Sequence, residues 1–112
     1  MAREICTGRT IAAGTNWTSQ DIILRSGLTS HGIEFNVTGD GTFKVTTYTS
    51  ISGQYWVKNA IVVTGFGKTS GPDSDGNDNR GLWLIPGDFV RFKLEETGSL
   101  NSIIVTMYFA QM

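Results

Sequence analysis

The chain holds one histidine, one cysteine and ten carboxylates, a small stock for acid–base, nucleophilic or metal chemistry. His31 stands in Leu28-Thr29-Ser30-His31-Gly32, ahead of a strand-like run, with no nucleophile motif around it. A catalytic histidine needs a nucleophile beside it and an orienting group behind it, so His31 is expected to be an exposed loop residue. Cys6 excludes an intrachain disulfide and is expected as a small buried apolar residue. One Cys and one His cannot furnish a structural zinc site within one chain. Gly65-Phe66-Gly67-Lys68-Thr69 ends like a phosphate loop but lacks its first glycine. Asp40, Asp73, Asp75, Asp78 and Asp88 lie in turn-like segments, and Glu95 and Glu96 at a turn edge. Turns favour Asp for its bonds to backbone N–H groups, which outweighs a glycosidase reading that needs a carboxylate pair. The expectation is a non-enzymatic protein without a cofactor.

Two binding possibilities remain among these residues. Asp73, Asp75, Asn77 and Asp78 offer oxygen donors around Gly76, as a calcium loop would. The match to an EF-hand is poor, because Asp78 occupies the place of the turn glycine and Leu84 that of the bidentate Glu; a solvated loop is the better reading. Trp17, Tyr55, Trp56, Trp83 and Tyr108 could instead form a platform for sugar rings. The competing account is burial in core and interfaces, where large aromatics dominate, and Trp17, in a polar stretch, is the best exposed candidate. Asn16-Trp17-Thr18 and Asn36-Val37-Thr38 match a glycosylation sequon, read as coincidence without a secretory signal.

The elements that would position these groups are strands. Ile33, Phe35 and Val37 alternate with polar residues before Gly39-Asp40-Gly41, and Phe43, Val45 and Thr47 alternate after it. A period of two on both sides of an Asp-Gly turn predicts a hairpin with Phe35, Val37, Phe43 and Val45 inward. Further strands are expected at 10–13, 21–24, 55–57, 61–64, 82–85 and 90–95. Residues 65–81 are expected as one long polar loop. The last strand, about 102–111, is apolar on both faces, with Ile104, Tyr108 and Ala110 opposite Ile103, Val105, Met107 and Phe109. Such a strand is central in its sheet or part of an interface. About eight strands with regular turns indicate an all-β fold: an antiparallel two-sheet sandwich, jelly-roll-like, as a single domain over 1–112 with 1–20 as a possible extended arm.

Composition narrows the partners. Charged residues make up 17% of the chain, below the roughly 25% usual for soluble domains, so the surface leans on Ser, Thr, Asn and Gly. Net charge is −1 and the basic residues are scattered, which argues against nucleic acid. No apolar run reaches the length of a membrane-spanning helix. Met1 to Cys6 lacks a signal-peptide core, so synthesis in a cytoplasm is expected.

An ordered series of turns carries a resemblance: Val37-Thr38-Gly39-Asp40-Gly41-Thr42, Ser52-Gly53, Thr69 through Gly76, Pro86, and Glu96-Thr97-Gly98 with Asn101-Ser102. Over roughly residues 20–112 this pattern resembles small β-sandwich proteins encoded near the major capsid protein in tailed bacteriophages. The resemblance implies a virion component on the head surface, a decoration or cement protein. Its partners would be the major capsid protein and copies of itself, as a symmetric homo-oligomer such as a trimer. Candidate contact residues are Arg3, Ile5, Trp17, Phe66, Trp83, Ile104 and Tyr108. The alternative is a carbohydrate-binding or host-adsorption module.

Overall fold

The computed structural model describes residues 2–25, 28, 30–82 and 85–111. Trp83, a candidate contact, and Leu84 lie outside the described residues. The strands are β1 (Ala2–Ile11), β2 (Asn16–Thr18), β3 (Ile22–Ile23), β4 (His31–Thr38), β5 (Phe43–Ser50), β6 (Val57–Phe66), β7 (Asn77–Leu82), β8 (Phe89–Glu96) and β9 (Ile103–Gln111). They form two antiparallel sheets, ordered β1-β9-β4-β7 and β2-β8-β5-β6, with β3 also on β8. This is the strand order of a jelly roll. The predicted two-sheet sandwich is the observed fold.

Alternation built the core as read. Phe35, Val37, Phe43 and Val45 are buried, with Val90, Phe92 and Leu94 from β8 and Ile103, Val105, Met107 and Phe109 from β9. Phe35 meets Phe43 and Phe66 at ring-centroid distances of 5.6 and 4.9 Å. β9 is central, paired with β1 on one side and β4 on the other.

The hairpin expected at Gly39-Asp40-Gly41 is absent. β4 pairs with β7 and β9, while β5 pairs with β6 and β8. The turn is an arch that carries the chain from one sheet to the other. A period of two reports which side chains face inward, and a hairpin and an inter-sheet arch share that pattern. Gly41 N–H donates to Ser102 C=O and Thr42 N–H to Glu96, which anchors the arch to the β8–β9 connection.

Three further expectations change. Residues 77–82 are strand β7, so the connection after β6 spans only 67–76; the register with β4 supplies the pairing that the polar composition of this strand hides. Tyr55 and Trp56 precede β6 instead of belonging to a strand. The stretch 1–20 supplies β1 and β2, each hydrogen-bonded into a sheet.

An arginine closes each open side of the sandwich. Arg80 on β7 reaches across to donate to Val62 C=O on β6 at 3.2 Å and pairs with Asp78. On the other side the Arg9 guanidinium lies 4.1 Å from the Trp17 ring centroid. Trp17 is thus a half-buried cover packed on the core, and the expected exposed aromatic is corrected.

Candidate binding groove on the outer face of the β1-β9-β4-β7 sheet

Antiparallel register sets side chains of the outer sheet face in rows across the strands. Tyr108 on β9 stands opposite Glu34 on β4, which stands opposite Asn79 on β7. One row on, Thr106, Asn36 and Asn77 align in the same way. Toward the other end the row is Ala110, Gly32 and Gly81. The absence of bulk there leaves the Tyr108 ring standing above a low floor, and Tyr108 is 38% exposed. Two contiguous grooves result, of about 300 and 360 Å³, which share Glu34, Asn79 and Tyr108.

The 67–76 connection forms one wall and brings Pro72, Asp73 and Asp75 to the groove. Its own hydrogen bonds hold it: Ser70 N–H to Gly67 C=O, Ser74 N–H to Gly71 C=O and Gly76 N–H to Ser70 C=O. Gly76 C=O then accepts from Val37 N–H, locking the connection to β4. Gly76 has φ of 81°, and a Cβ there would lie 2.3 Å from Val37 C=O, so only glycine fits.

Asn36 Nδ2 donates to Asn77 Oδ1 at 2.6 Å, and Asp75 accepts from both the backbone and the side chain of Asn77. Asp78 accepts from Asn79 N–H and pairs with Arg80. The four residues proposed for calcium border one groove, but Asp75 and Asp78 are engaged with neighbours. Among the described residues no three His, Cys, Asp or Glu side chains stand together to hold a metal ion.

The contact candidates separate. Arg3, Ile104 and Tyr108 are exposed. Ile5 and Phe66 are buried in the core. Their burial follows from a bulge that turns both Ile5 and Cys6 inward, and from Phe66 meeting Phe35 edge-on. At the sandwich end that carries the β5–β6 loop, a different set is bare. Ile51, Tyr55 and Val57 are 77%, 74% and 65% exposed, beside Pro86 around a shallow cleft.

The structure moves one polar residue from loop to core and gives another, at its expected turn edge, a buried role. His31 is buried at the start of β4, stacked on Phe109 with ring centroids 6.0 Å apart. Its position continues the inward parity of Ile33, Phe35 and Val37, the signal that could have placed it. Gln111 Nε2, a donor only, lies 3.3 Å from His31 Nε2. Burial holds the pKa of the ring below its usual value. Glu96, read as a turn-edge carboxylate, is 2% exposed. It accepts backbone N–H bonds from Thr42, Gly14, Gly98 and Ser99 at 2.7, 2.9, 2.7 and 2.8 Å. These bonds, that from Thr42 foremost, hold its pKa down to about 2 against the opposing effect of burial. One carboxylate thus ties the β1–β2, β4–β5 and β8–β9 arches. Cys6 is buried as expected, and burial pushes its thiol up to about 11.

No protein-family model matches the chain, and no curated protein matches it. Solved structures do. The chain is similar in fold to the PBSX exported protein XepA, with a TM-score of 0.67 at 13% identity over 99% of this chain and 36% of that one. It is also similar to a chain of the infectious bursal disease virus Gx strain structure, with a TM-score of 0.56 at 12% identity over 97% of this chain and 30% of the other. This chain spans about a third of either neighbour, and at such identities the likeness is one of fold.

Proposed function

We propose that the protein is a non-enzymatic structural component of a bacteriophage particle, seated on the head surface as a decoration or cement protein. In this reading it binds the major capsid protein and copies of itself in a symmetric homo-oligomer. The observation that carries the reading is the fold likeness, over nearly the whole chain, to part of a virus structure and of a PBSX exported protein. The apolar end around Ile51, Tyr55 and Val57 supplies a cleft lined, among the described residues, by no charged side chain, a surface suited to such contacts. Apolar burial contributes about 25 cal/mol per Å² before association costs, and many copies on one lattice add avidity.

Mass spectrometry and immunogold labelling of gradient-purified particles test the proposal. Stoichiometric recovery with label over the heads is expected. Recovery only in the soluble lysate would overturn it.

A further inference from the structure

We propose that the paired grooves on the β1-β9-β4-β7 face bind an uncharged glycan, a site independent of the virion reading. Sugar hydroxyls both donate and accept, and one face of a pyranose ring is rich in C–H groups. A matching site needs carboxamides, carboxylate acceptors and an aromatic ring on a rigid support. Asn79 and Asn36 supply carboxamides, Glu34 an acceptor, and Tyr108 the ring.

Their arrangement matches this chemistry. Glu34 lies between Tyr108 and Asn79 on adjacent strands, so a hydroxyl pair above β4 meets an acceptor and an amide together. Among the described residues, no hydrogen bond or ion pair engages the Glu34 carboxylate or the Asn79 carboxamide. The Gly32, Gly81 and Ala110 floor leaves room for a ring to lie against Tyr108. The two grooves share three residues and run together, a shape for more than one sugar unit. Among the described residues no Lys, Arg or His lines the groove beside the 67–76 connection, and its carboxylates repel anionic saccharides; Arg80 and His31 border the second groove, with the Arg80 guanidinium turned to Val62 C=O and the His31 ring stacked on Phe109. The strands and the hydrogen-bonded connection hold the groups in place before a ligand arrives, which lowers the ordering cost of binding.

The test is ¹H–¹⁵N NMR titration of the full chain with a panel of neutral oligosaccharides: glucans, mannans, galactans and N-acetylglucosamine oligomers. At least one member is expected to shift resonances of residues 32–36, 77–81 and 106–110, with affinity unchanged between 50 and 500 mM NaCl as roughly expected for uncharged ligands. Tyr108→Ala and Asn79→Ala should each weaken binding about tenfold or more. Lys44→Ala on the opposite face should leave it unchanged, and unaltered spectra elsewhere show that each variant folds. No response to any member would overturn the proposal, as would binding that survives both groove variants. Shifts produced only by polylysine and lost at high salt would also overturn it, in favour of a basic partner.

Discussion

Glu96 shows how much a single side chain can organise. Its four backbone donors belong to three arches, which backbone bonds such as Thr97 N–H to Thr42 C=O and Gly41 N–H to Ser102 C=O also join. Hydrogen bonds to a charged group contribute about 1.5–3 kcal/mol each and leave buried donors unsatisfied when lost. Glu96→Gln keeps the shape and removes the charge, and a loss of about 2–3 kcal/mol at pH 7 is expected in urea unfolding. The folded pKa of about 2 lies below the ordinary 4.5, so this stabilisation is present above pH 4.5 and is lost as pH falls toward 2. The gap between wild type and variant should therefore close in that window. His31 acts nearer neutrality. Burial lowers its folded pKa below the ordinary 6.5, so on acidification the unfolded chain takes the proton first. Stability should fall as pH drops below 6.5, and His31→Gln should flatten unfolding curves compared between pH 7.5 and about 5.5.

At the scale of elements, the edge strand β7 carries its charges inward, a device that discourages pairing with other chains. Arg80 both bridges to β6 and blunts this edge. Arg80→Ala should cost about 1–2 kcal/mol and raise light scattering during storage, since a bare edge recruits strands. The 67–76 connection depends on Gly76 in the same way that an arch depends on its keystone. Gly76→Ala places a Cβ against Val37 C=O at 2.3 Å and should lower stability by about 2–4 kcal/mol, read by thermal melting. β7 was also the element hardest to read from sequence. Asn77-Asp78-Asn79-Arg80-Gly81 has loop composition, and only its partner β4 makes it a strand.

For the whole molecule, the apolar end is the surface that has most to gain from a partner. Tyr55→Lys with Val57→Lys should change monomer stability by less than about 0.5 kcal/mol, because both residues are exposed. On the proposed function, the same pair should abolish co-sedimentation with particles. Wild-type affinity retained by the double variant would move the contact elsewhere on the molecule.

By itself the sequence determined the class of fold and the membership of its core. Inward and outward parity is a local property of an extended chain, and Phe35, Val37, Phe43, Val45, Phe92 and Val105 follow it into the interior. It also marked Tyr108 and Asn77 as residues of interest. Which strands pair was decided only in three dimensions, because hydrogen-bond partners in a sandwich are distant along the chain. Hence the turn at 39–41 became an arch, a turn-edge glutamate became the tie between three arches, and a loop histidine moved inside. The groove has the same origin. Tyr108, Glu34 and Asn79 are far apart in sequence, and lateral register alone makes them neighbours.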